Sequence, residues 1–284
     1  MSFQQIQWFP GHMAVTRRLI RENLTDVDVV FELLDARIPR SSRNPEIQKL
    51  LSGKPSVILL NKADMADPDF TLRWKKALTS ENTRCVPVDS KKGTGLDDAV
   101  NAARELLREK WAQYEKKGMS RPIRAMVVGI PNVGKSTLIN RLAGSKKAKA
   151  ENRPGVTKTK QWVKAGKDLE LLDMPGILWP KFEDETVGEN LAITGAIRDE
   201  ILDTAEIAVL LCKRLSEGWS SLLAQRYKLS EDDLSREPYD LFLLIGKKRG
   251  MLQSGGEVNE DRCANMLLDE FRGGVIGRIS LEDV

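Results

Sequence analysis

Residues 129–136 read Gly-Ile-Pro-Asn-Val-Gly-Lys-Ser, a complete phosphate-binding loop that lies between an apolar run at 123–128 and a helical pattern. Glycines in such a loop let backbone N–H groups turn inward around a phosphate, and the following helix adds the positive end of its dipole. Lys135 is expected to reach the β- and γ-phosphates of a nucleotide, and the Ser136 hydroxyl is expected to bind Mg²⁺. A loop that merely resembles this motif is the alternative, and its position between a strand and a helix argues against it. The stretch therefore predicts a nucleotide-binding α/β fold.

Short apolar runs alternate with helical patterns on both sides of this loop. We expect strands at 27–34, 56–60, 85–88, 123–128, 162–165 and 169–172, and helices at 13–24, 70–78 and 96–117. This alternation favours a mostly parallel sheet that is covered on both faces. Beyond residue 183 the pattern becomes helical, at 187–202, 205–227, 238–247 and 259–271. We therefore predict an α/β domain at 1–180 and a smaller all-α domain at 181–284.

Size and composition indicate a globular protein. The 284 residues are 41% hydrophobic and 30% charged, and no apolar run approaches the roughly 18 residues that span a bilayer. Residues 1–10 lack the basic start and apolar stretch of a secretory signal, so we expect a cytoplasmic protein. Cys85, Cys212 and Cys263 are odd in number and far apart, which favours ordinary thiols. We expect no membrane partner and a monomeric state.

The charge balance is only slightly basic. The chain has 45 basic and 41 acidic residues, and the net charge of +4 weakly favours an anionic partner. Basic residues cluster at 17–21, 146–149 and 247–249. Each cluster is either a contact for such a partner or a solvated surface.

A second motif, Asn61-Lys62-Ala63-Asp64, indicates which base the protein binds. The Asp64 carboxylate accepts hydrogen bonds from the N1–H and 2-amino groups of guanine, whereas adenine offers it a lone pair at N1. The Lys62 stem is expected to lie over the base, and Asn61 is expected to brace the site. Four residues alone are a weak match that also suits a plain strand-end turn. Their place at the carboxyl end of a buried strand, where open α/β sheets bind ligands, favours guanine recognition.

Three shorter motifs complete the predicted site. Ser90 matches the residue in the GTPase loop whose backbone N–H contacts guanine O6. In Asp173-Met174-Pro175-Gly176, Asp173 is expected to hold Mg²⁺ through water and the Gly176 N–H to bind the γ-phosphate, with a plain proline turn as the alternative. Thr157 is the candidate switch threonine, which reaches Mg²⁺ and the γ-phosphate only in the triphosphate state. The predicted nucleotide contacts are Asn61, Lys62, Asp64, Ser90, Asn132, Val133, Gly134, Lys135, Ser136, Thr137 and Gly176, and the predicted metal ligands are Ser136, Thr157 and Asp173.

The order of these motifs is reversed, because the base-reading motifs precede the phosphate loop whereas in an ordinary GTPase they follow it. In this order the chain resembles the YlqF/RbgA family of circularly permuted GTPases over nearly its full length. The motifs that carry the resemblance are Trp8-Phe9-Pro10-Gly11-His12-Met13, Asp35-Ala36-Arg37-Ile38-Pro39, Asn61 to Asp64, Gly129 to Ser136, and Asp173 to Gly176 continuing into Ile177-Leu178-Trp179-Pro180.

The resemblance implies a P-loop GTPase fold with a mostly parallel sheet in circularly permuted order, together with GTP hydrolysis to GDP and phosphate. It also implies a role in late assembly of the large ribosomal subunit, with a helical C-terminal domain that helps to contact ribosomal RNA. A GTP-dependent switch that acts on another structured RNA, with incidental hydrolysis, remains open. An ATP-using P-loop enzyme is disfavoured by Asp64.

Hydrolysis needs a water molecule held in line with the γ-phosphate, and many GTPases use a glutamine directly after the Asp-x-x-Gly motif. Here that position is Ile177, whose alkyl side chain cannot orient water. His12, the single histidine, is the candidate substitute because it matches the family's Pro-Gly-His-Met segment; an RNA-contacting or packing role is the alternative. The predicted catalytic residues are His12, Lys135, Thr157 and Gly176.

Asn132 resembles the asparagine that, in some GTPases, holds a monovalent cation beside the phosphates. A potassium ion there would take over part of the charge role of an arginine finger. The sequence shows one of the several ligands that such a site needs. The expected cofactors are therefore Mg²⁺ and a potassium ion near Asn132.

Overall fold

The computed structural model describes residues 10–51, 53–144, 162–179, 182 and 184–284, and the side chains of residues 10–13 lie outside this description. Six strands form one sheet in the order β3-β2-β1-β4-β6-β5. Every neighbouring pair is parallel except β5 and β6, which are antiparallel. The strands are β1 Val29–Asp35, β2 Ser56–Asn61, β3 Thr83–Pro87, β4 Ile123–Gly129, β5 Trp162–Ala165 and β6 Leu169–Asp173. The mostly parallel sheet predicted from the sequence is confirmed.

Helices connect the strands in the first part of the chain, and they follow one another directly from residue 184 onward. The first group is α1 Pro10–Asn23, α2 Pro45–Leu51, α3 Pro68–Leu78, α4 Leu96–Leu106, α5 Arg108–Lys116 and α6 Lys135–Leu142. The second group is α7 Glu185–Ile193, α8 Thr204–Gly218, α9 Ser220–Tyr227, α10 Glu231–Leu234, α11 Pro238–Lys248 and α12 Glu260–Arg272. Within the described ranges, none of these helices is both long enough and apolar enough to cross a bilayer.

Three of the predicted helices were too long. The helix expected at 96–117 breaks at Leu107, which is buried and leaves the helical region at φ −100°, ψ 3°. The one expected at 187–202 ends at Ile193, two residues before Gly195 at φ +75°. The one expected at 205–227 breaks at Trp219, whose indole Nε1 donates to Ser280 O at 3.1 Å. Tertiary contacts therefore override helical periodicity at these positions.

Both faces of the sheet are buried, as expected for parallel strands. All seven residues of β1 are buried. Val29, Phe31 and Leu33 lie in one apolar cluster, Val30 lies in a second and Leu34 in a third. Phe31 packs with α4, α6 and the helices beyond residue 184, whereas Val30 packs with α1 and α2. The division of the chain at residue 180 stays a prediction, and residues from both sides of it share the first of these clusters.

The last eleven residues, 274–284, form an extended segment that returns to the first third of the chain; we call it the C-terminal segment. Its Ile279 N–H donates to Met65 O at 2.9 Å, and its Leu281 N–H donates to Arg37 O at 2.8 Å. The Arg278 guanidinium donates to Ala63 O and Ala66 O, both at 2.9 Å. These bonds tie the C-terminal segment to the loops that follow β1 and β2.

Glu282 anchors the end of the C-terminal segment. Its carboxylate accepts from the N–H of Arg40 at 2.8 Å, from the N–H and hydroxyl of Ser41, and from Asn190 Nδ2 at 3.0 Å. Burial raises the pKa of Glu282 and these hydrogen bonds lower it, with a net rise. One side chain therefore joins the loop after β1, the helix α7 and the C-terminal segment.

Replacing Glu282 by alanine should destabilise the protein by about 2 kcal/mol, because several buried donors lose their acceptor together. Chemical denaturation of the full chain measures this loss. Asp283→Ala is the matched control, since the Asp283 carboxylate is exposed and pairs with the exposed Arg73. Equal losses in the two variants would contradict the anchoring role of Glu282.

Candidate functional site

The phosphate loop runs from the end of β4 at Gly129 to the start of α6 at Lys135. Both of its glycines are needed because other atoms lie close to the backbone there. A Cβ on Gly129 would lie 2.7 Å from Leu33 O, and a Cβ on Gly134 would lie 2.3 Å from Asn61 Nδ2. Both glycines also have positive φ, at +153° and +109°. The loop predicted from the sequence thus has the strand-to-helix setting and the tight geometry that phosphate binding needs.

Lys135 lies folded over the loop and is almost fully buried. Its Nζ donates to Gly129 O at 3.0 Å and to Ile130 O at 2.8 Å. Burial lowers the pKa of Lys135 to about 8, against the opposing charge of Asp173. The pKa of Asp173 is raised by burial, which the Lys135 charge opposes. A Cβ on Gly176 would lie 2.7 Å from Lys135 Nζ, so the lysine, Asp173 and Gly176 converge at one place.

Two oxygen ligands of the type that Mg²⁺ prefers flank this lysine. Asp173 ends β6, and Ser136 is the second residue of α6. In the part of the chain that the structure describes, no group of three or more histidine, cysteine, aspartate or glutamate side chains is placed to hold a metal. The Ser136 hydroxyl and the Asp173 carboxylate are oxygen donors of the kind that hold Mg²⁺ together with phosphates and water. Thr157, the third predicted ligand, lies outside the described residues.

The base-reading motif lies beside the phosphate loop. Asn61 ends β2 and is buried; its Nδ2 donates to Val133 O at 2.7 Å. Its Oδ1 accepts from the Ser90 N–H at 3.0 Å. One side-chain amide thus joins the end of β2, the phosphate loop and the loop after β3.

Ser90 differs in one respect from the sequence prediction. Its N–H, which the sequence assigns to guanine O6, donates to Asn61 in this structure, so contact with O6 stays a prediction. Its hydroxyl oxygen is buried and has no hydrogen-bond partner among the described residues. Such an unmet polar group is rare in a folded protein, and a polar ligand at this position would satisfy it.

Lys62 and Asp64 lie at the mouth of this site. Lys62 adopts a left-handed backbone with φ +60°, and its Nζ donates to Asp35 Oδ2 at 2.9 Å. The Asp64 carboxylate is partly exposed, 3.6 Å from Lys92 Nζ. The exposed part of this carboxylate is open to the edge of a base.

A cleft of about 460 Å³ opens beside Lys62 and Asn132. Its other wall comes from the turn after α7 and from α12, with Gly195, Arg198 and Arg272 among its residues. Asn132 Nδ2 donates to Gly195 O at 2.8 Å, which closes the phosphate loop against that wall. The potassium site proposed at Asn132 stays a prediction, and so do the contacts of Val133 and Thr137 with nucleotide.

Ile177 is buried in the same apolar cluster as Ile20 of α1. Its carbonyl oxygen accepts from Asn44 Nδ2 at 3.2 Å. Its side chain therefore belongs to the core, in agreement with the expectation that it does not hold a water molecule. His12 lies in α1, but its side chain is outside the described residues, so its catalytic role stays a prediction.

Two charged residues beside Lys62 had no individual role predicted from the sequence. Asp35 and Arg37 are both almost fully buried, and Arg37 pairs with Asp35 through two nitrogens. They belong to the Asp-Ala-Arg-Ile-Pro segment. The position of this segment at the carboxyl end of a buried strand is the sequence feature that could have marked them as site residues. The wall formed by Gly195 and Arg272 was also missed, since no local motif marks it.

Comparisons with known proteins agree with this geometry. Residues 124–244 match the family described as 50S ribosome-binding GTPase. The chain is 50% identical to ribosome biogenesis GTPase A of Priestia megaterium over 280 residues, which cover 98% of this chain and 96% of that protein. It is 51% identical to the protein of the same name from Bacillus licheniformis, with 98% of each chain covered.

A solved structure extends the comparison to the fold. The crystal structure of GNP-bound YlqF from T. maritima is 26% identical and aligns with a TM-score of 0.62, covering 94% of this chain and 97% of that one. The resemblance inferred from the motifs and their order is confirmed. The chain belongs to the ribosome biogenesis GTPase A (YlqF/RbgA) family of circularly permuted GTPases.

Proposed function

We propose that this protein binds GTP, hydrolyses it to GDP and phosphate, and acts in late maturation of the large ribosomal subunit. The observation that carries the proposal is the Asn61 amide, which holds the base-reading loop and the phosphate loop together as one site. The names of the relatives and the description of the matching family support the ribosomal role.

In this site the first half of the chain binds the base and the second half binds the phosphates. Asp64 accepts from the guanine N1–H and 2-amino groups, and the Lys62 stem covers the base. The N–H groups of the phosphate loop, the positive end of α6 and Lys135 hold the phosphates. Lys135 leaves its carbonyl partners, Gly129 O and Ile130 O, when it turns toward a phosphate.

Mg²⁺ would be held by Ser136, by Asp173 through water and by Thr157. When bound, the ion supplies positive charge that stabilises the developing charge on the phosphates. Gly176 donates its N–H to the γ-phosphate. Because Ile177 follows directly and bonds to Asn44, a shift of Gly176 is passed to the loop after β1. His12 orients the attacking water or stabilises charge.

The ribosomal partner is expected to contact the helical part of the chain. In the basic cluster at 247–249, Lys248 pairs with Asp233 and Arg249 pairs with Glu270. Lys247 is exposed and forms no ion pair within the described residues. This cluster alone therefore makes a modest contribution to RNA affinity. The remaining contacts have to come from other parts of the surface.

GTP turnover with and without large-subunit particles tests the proposal. We expect the particles to stimulate the parent protein, and His12→Ala to lower the stimulated rate by about 100-fold, as for loss of a general acid or base. GDP affinity should be unchanged, because His12 is not among the binding groups.

Glu22→Ala, an exposed position on the same helix, is the matched control and should retain stimulation. If particles fail to stimulate the parent, the ribosomal assignment is wrong. If His12→Ala is stimulated like the parent, His12 has a packing or RNA-contacting role.

The lowered pKa of Lys135 predicts a pH dependence of nucleotide binding. A bound phosphate favours the charged lysine, whereas the free protein releases this proton as the pH rises through about 8. Above that pH, binding must take up a proton, so GDP affinity should fall by up to about tenfold per pH unit.

Titration calorimetry of GDP between about pH 7 and 9 measures this slope. Lys135→Arg is the control, since arginine stays charged throughout the range and removes the lysine contribution. Guanine N1 titrates alike in both experiments, so the difference in slope between the parent and Lys135→Arg excludes its contribution. Equal slopes for the parent and Lys135→Arg would contradict the role given to Lys135.

A further inference from the structure

Asp35 and Arg37, in the Asp-Ala-Arg-Ile-Pro segment at 35–39, form a buried charge network with Lys62. Neither of these two residues has a role in the proposed function. Asp35 ends β1 and is 2% exposed; Arg37 is 1% exposed. Arg37 Nε donates to Asp35 Oδ1 at 2.9 Å, and Arg37 Nη2 donates to Asp35 Oδ2 at 2.7 Å. The same Oδ2 accepts from Lys62 Nζ at 2.9 Å. A single carboxylate therefore holds both an arginine and the lysine of the base-reading motif.

The charges within this network keep Asp35 ionised. Burial raises its pKa, but the neighbouring charges of Arg37 and Lys62 outweigh burial, and the pKa lies well below its usual range. The pKa of Lys62 is lowered by burial, with Asp35 acting in the opposite direction. The carboxylate is thus ionised at neutral pH and accepts from both cations.

Lys62 connects this network to the cleft that opens beside Asn132. Its backbone turns through φ +60° directly after β2, and its side chain lines the cleft beside Asn132. With the backbone fixed at one end and Nζ fixed by Asp35 at the other, the four-carbon stem has few positions open to it. That stem is the part of the residue that covers a purine face.

Residues near the C-terminal end of the chain contact Arg37. Its guanidinium carbon lies 5.2 Å from the centre of the Phe271 ring on α12, within the range of a cation–π contact. Its backbone oxygen accepts from the Leu281 N–H of the C-terminal segment at 2.8 Å. Arg37 therefore lies between the carboxylate of Asp35 and residues more than two hundred positions later in the chain.

Stability alone does not account for this network. Buried ion pairs add little net stability, because the loss of hydration offsets their attraction. Arg37 Nη1 is moreover buried with no hydrogen-bond partner among the described residues, which adds a cost. What the network does supply is a fixed place for the Lys62 ammonium group.

We infer that Asp35 and Arg37 are positioning residues for guanine binding, which hold the Lys62 stem in place over the base, with Phe271 and the C-terminal segment as their support. The inference rests on the proposed binding of guanine nucleotide at this site. It makes nucleotide affinity depend on the contact between α12 and the loop after β1. It also gives a role to a motif whose residues do not line the cleft beside Lys62.

A double-mutant cycle on the full chain, with GDP affinity measured by calorimetry, tests the inference. Asp35→Asn should weaken GDP binding by about tenfold, the effect of losing one charge-assisted contact. In a Lys62→Met background the same change should weaken binding by less than about twofold, because its effect passes through Lys62. Asp35→Glu, which keeps the charge, should restore part of the loss.

Asp28→Asn is the matched control. Asp28 is also a buried carboxylate and directly precedes β1, at the opposite end of the strand from Asp35. It pairs with Lys110 and Arg121, each at 2.7 Å. It should lose stability in the same way, with GDP affinity within about twofold of the parent. If Asp35→Asn does not fold, Phe271→Leu replaces it, with an expected loss of about threefold that also disappears in the Lys62→Met background.

A parent protein that does not bind GDP defeats the proposed function. If the parent binds GDP but Asp35→Asn and Lys62→Met lower GDP affinity additively, the inference is wrong and the proposed function stands. Equal losses of GDP affinity in Asp28→Asn and Asp35→Asn also overturn it, because the effect would then be one of general stability.

Discussion

The amide of Asn61 is the contact on which the candidate site depends. It donates to Val133 O and accepts from the Ser90 N–H, two groups that lie 72 and 29 residues away along the chain. A side-chain amide is one of the few groups that can satisfy a carbonyl and an N–H at the same time. Because Asn61 is buried, the loss of either bond would leave polar groups unpaired. The phosphate loop and the base-reading loops therefore keep one relative position.

The sheet makes this contact possible despite the permuted order of the motifs. The first strand, β1, lies in the middle and pairs with β2 on one side and with β4 on the other. Asp35, Asn61 and the phosphate loop thus follow the carboxyl ends of three adjacent parallel strands, where open sheets place their ligands. The permuted order changes which segments of the chain are connected to these loops. Two residues of the loops contact the later part of the chain, since Asn132 bonds to Gly195 and Arg37 packs on Phe271.

Local patterns predicted the fold and most of the site, because glycines, strand-end aspartates and apolar runs act over a few residues. The sequence could not show that Arg37 packs on Phe271 or that Glu282 binds Arg40, since these contacts join distant segments through side-chain geometry. Helix breaks such as that at Trp219 were missed for the same reason. The roles of His12 and Thr157 rest on the sequence, because the structure describes neither side chain.

A crystal structure of the protein with GDP and Mg²⁺ tests the central claim most directly. The account predicts one nucleotide that spans the two halves of the chain, with guanine N1 and its 2-amino group within hydrogen-bond distance of Asp64 and the β-phosphate inside the loop at 129–136. A β-phosphate in that loop with the base turned away from Asp64 would contradict the account.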